Sequence, residues 1–297
     1  MLTGNRPDPG LPKEVMMFAR PLHRAVLLIV LVGLSLAAHA YEGPLFDAHL
    51  HYNPAHADTV APDGVGPALA GAGIRRAVIL ARDDELIEAA MRAAPGGIVP
   101  FLDVYRPPAD KGGWMHDSDL PERMRARLDA GLETGDWRGI GELHLFAEDR
   151  HSPVFEALLV MAHERGLPLM IHGDPAVIDR AYEIEPEAVV LWAHAGTFPH
   201  PDLIGDYLGR YPNLHADLSM RSERLTGDGF MPLEWQDLLI AHADRFLVGV
   251  DTFSATRWRE IDAHAEAIRT WLGHLPGDVA ARIAFGNAER LFGGGDL

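Results

Sequence analysis

Eight short apolar segments, each running into a longer amphipathic stretch, most constrain what this chain can fold into. They fall at 44–51, 76–81, 97–104, 139–146, 167–172, 188–194, 213–218 and 246–251. Helical patterning follows at 64–72, 84–94, 121–133, 153–165, 175–184, 201–211, 233–243, 258–272 and 278–292. Ser152-Pro153 is a cap followed by a proline at the first helical position, and Asp83-Asp84 places acids at a helix start. Strands alternating with helices imply parallel pairing through crossover helices. About 250 residues is the usual size of a closed (β/α)8 TIM barrel. An open doubly wound sheet has the same alternation but gathers its polar residues at one switch point. Here they end strands along the whole chain, so the barrel is the expected fold. The stretches 106–119 and 219–231 are too long for simple connectors, and the first is a candidate lid.

Residues 1–40 stand apart. Arg20 and Arg24 precede an apolar run over 25–36, and Ala38-His39-Ala40 supplies small residues before Tyr41. This is the layout of a secretory signal peptide. The run is shorter than the ~20 residues a spanning helix needs. Export to the periplasm or medium is therefore expected, with no stable membrane anchor after cleavage. Met16 and Met17 lie nearer a normal leader length, so residues 1–15 read as an over-long start. Residues 41–297 then form a single barrel domain.

The net charge is −17, and residues 1–40 carry four basic against two acidic side chains, so the remainder is two charges more negative. Such a surface argues against nucleic acid as partner and predicts solubility, with a small molecule as the expected partner; a homo-oligomer is compatible with it. Cysteine is absent, which removes disulfides, thiol nucleophiles and cysteine-based zinc sites. Lysine occurs only at positions 13 and 111.

In a barrel, chemistry sits where strands run into their following loops. The first segment ends in His49 and His51, which alternate onto one face of a strand. The fourth carries Glu142 and His144, the fifth ends in His172, the sixth in His194 and the eighth in Asp251. A closed barrel gathers these ends into one ring. Imidazole nitrogens and carboxylate oxygens suit a divalent ion, zinc first and manganese second, at one or two per chain. Asp47, one pleat before His49, is expected to hold a ligating imidazole through its second nitrogen.

These residues also carry a resemblance. Phe46-Asp47-Ala48-His49-Leu50-His51, Ile171-His172, Trp192-Ala193-His194-Ala195-Gly196, Gly249-Val250-Asp251 and the ending Phe285-Gly286-Asn287-Ala288-Glu289-Arg290-Leu291-Phe292 occur in that order. The set resembles the amidohydrolase superfamily, specifically its amidohydrolase-related branch of decarboxylases, lactonases and related hydrolases. The resemblance spans 45–292. It implies that His49, His51, His172 and Asp251 ligate metal, and that His194 binds a second metal or polarises the substrate. Many binuclear members bridge their metals with a carbamylated lysine on the fourth strand. This chain has none there, and Gly141-Glu142 is similar instead to the bridging glutamate of TatD-type nucleases.

The chemistry expected is a metal-dependent hydrolase acting on a small ester, lactone, amide or phosphoester. Asp251 would take a proton from the attacking water, and His194 would stabilise charge on the substrate oxygen. A metal-dependent decarboxylase is the alternative enzyme, and a non-catalytic metal-dependent binding protein is the third reading. Arg106, Arg221 and Arg224, on the loop side of the barrel, are candidates to grip a carboxylate or phosphate. Trp114 and Met115 would cover an apolar substrate or pack their loop down.

Overall fold

The computed structural model describes residues 39–105 and 111–293. The leader expected at 1–40 falls almost entirely outside them, as does Arg106. Among the described residues, no helix is long and apolar enough to cross a membrane.

The strands are β1 (Leu45–His51), β2 (Ile74–Ala81), β3 (Ile98–Leu102), β4 (Gly139–Leu145), β5 (Leu169–Gly173), β6 (Val190–Trp192), β7 (Leu214–Asp217) and β8 (Phe246–Leu247). They pair in chain order, every pair parallel, with helices between them. Ala48 N donates to Val248 O (2.8 Å) and Asp251 N to His49 O (2.7 Å), so the chain beyond β8 returns to β1. This is the (β/α)8 barrel expected from the alternation.

Two apolar layers hold it. Phe46, Ala48, Val78, Leu80, Val99, Phe101, Met170, Leu191 and Leu247 fill the barrel interior. Alternate strand residues, such as Ile79, Leu102, Ile171 and Trp192, pack outward under the helices. The ending of the chain plugs the N-terminal mouth. Phe292 lies 6.1 Å from Phe46 and 5.5 Å from Phe101 between ring centres. Asn287 Nδ2 donates to Ala243 O and Phe246 O at 2.8 Å each, and Glu289 pairs with Arg76 at 2.7 Å. Interior space beside Phe101 and Met170 is kept by two glycines of β4. A Cβ at Gly139 would lie 2.3 Å from the Phe101 ring, and one at Gly141 (φ +137°) 2.6 Å from Met170 O.

Two strands depart from simple alternation. In β1 the register shifts between Asp47 and Leu50, and in β4 between Ile140 and Leu143. Phe46 and Ala48 therefore face inward while Leu50 and Tyr52 face outward. The parity flips just before His49 and His51, and again before Glu142 and His144.

β8 is shorter than the expected 246–251, because Gly249 passes close to its neighbours and Asp251 turns to φ +61°. The final expected helix, 278–292, is interrupted by a π-helical turn over Arg282–Gly286. In the long loops, Trp114 and Met115 are buried in the outer layer, which pins that part of the candidate lid down. Trp114 Nε1 donates to His144 O (3.0 Å) and Ser152 Oγ to Met115 O (2.6 Å).

His215 faces the interior one pleat before Asp217, with Nδ1 buried and unpartnered. Burial, then the charges of Arg245 and Arg290, push its pKa down to about 4. The unfolded chain binds that proton more readily, so the contribution to stability is complete above about pH 6.5 and is lost as pH falls toward 4. The loss is on the order of 3 kcal/mol. Urea midpoints at pH 7 and pH 4.5 should therefore lie closer together in His215→Leu than in the wild type.

Candidate metal centre

Six of the residues singled out above meet at the C-terminal mouth. His49 Nε2 lies 3.7 Å from Glu142 Oε1 and 3.8 Å from Asp251 Oδ1. His51 Nε2 is 3.5 Å from Glu142 Oε2 and 3.4 Å from Asp251 Oδ1. His172 Nδ1 sits 2.9 Å from Glu142 Oε1. His194 Nε2 is 3.3 Å from that same oxygen and 3.8 Å from Asp251 Oδ2.

Three overlapping groups bring their donor atoms within 4.8 Å of one another: His49/His51/Asp251, His49/Glu142/His194 and Glu142/His144/His172. Glu142 is shared by two of them and touches the third. His49, His51, Glu142, His194 and Asp251 are all buried. His49 Nε2 and Asp251 Oδ1 are moreover buried without a hydrogen-bond partner. A lone pair buried without a partner costs about 1–3 kcal/mol. A cation placed between these atoms removes that cost, so the donor set fits a divalent ion.

The imidazoles are aimed by residues that sequence reasoning did not assign to the site. His49 Nδ1 lies 3.2 Å from Asp217 Oδ2 and His194 Nδ1 lies 2.7 Å from Ser219 Oγ. Ser219 Oγ itself donates to Asp217 Oδ1. Its proton is thus spent, so it accepts from His194 Nδ1–H. With a cation in the mouth each ring would keep its proton on Nδ1 and turn the Nε2 lone pair toward the ion. Asp217 was legible in principle: it too is the polar residue ending an apolar strand.

Asp47 does something other than expected. The register shift in β1 takes it off the face of His49, and its carboxylate accepts from the backbone N–H of His49 (2.9 Å) and of Val250 (3.1 Å). It staples β1 to the segment leading into Asp251, while Asp217 holds the imidazole.

Arg221 also differs from the expected anion grip. Its Nε donates to His194 O (2.8 Å) and its Nη2 to Gly196 O (2.9 Å). Arg257 does the same after β8, donating to Asp251 O (2.6 Å) and Val250 O. His194 and Asp251 both have left-handed backbones, at φ +58° and +61°. Such positions are costly without glycine, and each arginine stabilises the turn that re-aims the side chain. Trp258 Nε1 (2.8 Å) and Thr252 Oγ1 (3.0 Å) fix His51 through its carbonyl. Arg224 is exposed.

The charges are coupled. Burial favours neutral imidazole in His49, but the carboxylates of Asp217, Glu142 and Asp251 hold its pKa well above the ordinary value. Burial would raise Asp217 and Glu142; His49 and the bonds they accept instead hold Asp217 at about 2 and Glu142 well below the carboxylate range. Asp47, by burial, is pushed up to about 7. His144 stacks on His172 (4.3 Å) and burial drives its pKa down to about 3, so it is a neutral ring beside the donors.

No family model and no curated protein matches the chain. Solved structures do resemble it. A TatD homologue from Escherichia coli aligns at 14% identity over 84% of this chain and 98% of its own, with a TM-score of 0.56. A proposed 2-pyrone-4,6-dicarboxylic acid hydrolase from Pseudomonas putida aligns at 15% identity over 84% and 97%, TM-score 0.55. An amidohydrolase from Burkholderia multivorans, with bound zinc, aligns at 12% identity over 84% and 99%, TM-score 0.53. The chain thus shares with these three structures the fold that carries its cluster of histidines and carboxylates, a (β/α)8 barrel.

Proposed function

We propose that this chain is a metal-dependent hydrolase of the amidohydrolase superfamily, acting on a small ester, lactone, amide or phosphoester. The observation that carries the reading is the convergence of His49, His51, Glu142, His172, His194 and Asp251, with His49 Nε2 and Asp251 Oδ1 buried and unpartnered. His49, His51 and Asp251 would hold one ion, and His172 and His194 a second, with Glu142 between them. Zinc is the metal we favour, with manganese next. When bound, the ion would supply Lewis acidity and lower the pKa of water toward neutral pH.

The chain's own groups do the rest. Asp251, through Oδ2 rather than the Oδ1 turned to His49 and His51, accepts the proton of the attacking water and returns it to the leaving group. His194, its Nδ1–H given to Ser219 Oγ, presents an Nε2 lone pair to the mouth, which suits it to hold an ion rather than to donate to the developing negative charge. Asp217 and Asp47 hold this geometry from behind, so little reorganisation is needed during reaction.

A decarboxylase would use the same donors. Glu142, which would lie between the two ions, favours water attack. We also place the mature chain outside the cytoplasm on the strength of the leader pattern at 1–40.

The full chain, loaded with zinc or manganese, should be tested on esters, lactones, amides, phosphodiesters and aromatic carboxylates. Acid release from one of the first four classes is expected. Release of CO₂ from the last would make the protein a lyase, and no turnover with metal bound would overturn the enzyme reading.

A further inference from the structure

One side of the mouth is unlike the rest. Among the described residues, Arg221 and Arg257 are committed to backbone carbonyls of the turns that carry His194 and Asp251. Arg82 and Lys111 are not. Arg82 follows Leu80 on the interior face of β2, one pleat above it, and its Nε donates to Asp103 (2.8 Å) at the end of β3. No hydrogen bond from its terminal Nη groups to another described residue occurs, and its side chain retains 15% exposure. Its guanidinium lies over the Tyr105 ring at 5.1 Å. Asp103 fixes the near edge of the guanidinium, so the planar pair of Nη donors is pre-oriented.

Lys111 is the single lysine outside the leader of a chain with net charge −17. Its ammonium nonetheless sits at the mouth, 3.0 Å from His144 Nε2. An ammonium only donates, so Nε2 accepts and the ring carries its proton on Nδ1. That proton points at Tyr105 Oη, 2.6 Å away, which also accepts from the backbone N–H of His144 at 2.9 Å. With both acceptances made, the phenolic hydrogen of Tyr105 has no acceptor among the described residues. His144 Nε2 is 3.5 Å from Glu142 Oε2, which puts this wall directly beside the candidate metal donors.

We propose that Arg82, Lys111 and Tyr105 form an oxyanion-binding wall on the β2–β3 side of the mouth. The substrate of the site then carries a carboxylate or phosphoryl group apart from the bond that reacts. The chemistry matches: a planar guanidinium edge, a point ammonium and a phenol are complementary to an oxyanion. A neutral ester or lactone would leave the Arg82 Nη donors without an acceptor and the Lys111 ammonium without a counter-charge among the described residues. The inference rests on the proposed function for what is bound, and specifies the substrate class. His144 serves as a positioning residue, linking Tyr105 and Lys111.

Calorimetric titration of the full chain with inorganic phosphate and, separately, with glutarate tests it, with zinc-loaded and metal-free protein and elemental analysis of each sample. Lys111 is exposed, so Lys111→Met keeps the fold. Wild type should bind at least one of the two anions. Lys111→Met should weaken that binding ten-fold or more at unchanged metal content, and Lys111→Arg should restore most of it. Phosphate alone would assign a phosphoryl substrate, and glutarate alone a carboxylate. Binding of neither anion, or equal binding by Lys111→Met, overturns the proposal. Failure to take up zinc while Lys111-dependent anion binding persists would instead overturn the metal reading and leave the wall standing.

Discussion

Asp251→Asn should lower kcat on a hydrolysed substrate by about 10²–10⁴-fold, the range expected when a positioned proton acceptor is lost. Asparagine keeps a carbonyl oxygen where Asp251 Oδ1 stands, 3.4 Å from His51 Nε2 and 3.8 Å from His49 Nε2. The main-chain bonds from Arg257 to the carbonyls of Asp251 and Val250, which hold the left-handed turn, are untouched by the change. Metal content should therefore fall little while turnover collapses. Elemental analysis and steady-state kinetics on one preparation check this. Wild-type turnover in the variant would remove Asp251 from proton transfer.

The second large effect is expected at Asp217, which need not touch substrate. Its carboxylate accepts from His49 Nδ1–H, from Ser219 N–H (2.9 Å) and from Ser219 Oγ–H. Asp217→Ala leaves His49 free to turn and unseats the hydroxyl that orients His194. Groups behind the ligands typically account for 10–100-fold in metal affinity, and a loss of that size is expected in competition with a chromophoric chelator. Ser219→Ala, which leaves Asp217 on His49, should cost less. Equal affinity in Asp217→Ala and wild type would show that the imidazoles are held by packing alone.

The residues that could be read in advance and those that could not differ for a physical reason. A strand ending in His172 or His194 after an apolar run advertises a barrel mouth, because apolar runs set the strands and closure gathers their ends. Side-chain direction inside β1 and β4 did not follow from a two-residue period. The register shifts flip parity between Asp47 and Leu50 and between Ile140 and Leu143. That is why Asp47 holds backbone rather than imidazole. Ser219 lies beyond the end of β7 in a loop with no periodic pattern, and only the fold brings it to His194. Arg221 reads as an anion grip, and Arg257 carries no signal in the sequence, until the left-handed turns they support are seen. Arg82 sits one residue past β2 and is placed in the mouth by barrel closure.

Metal per chain in the full-length protein after zinc reconstitution, for wild type and Glu142→Ala, tests the central claim most directly. Glu142 faces His49, His172 and His194 through Oε1 and His51 and His144 through Oε2. The account predicts two equivalents in the wild type, falling toward one in the variant. One equivalent, unchanged by the substitution, would contradict a carboxylate-bridged pair, and no bound metal at all would contradict the metal centre itself.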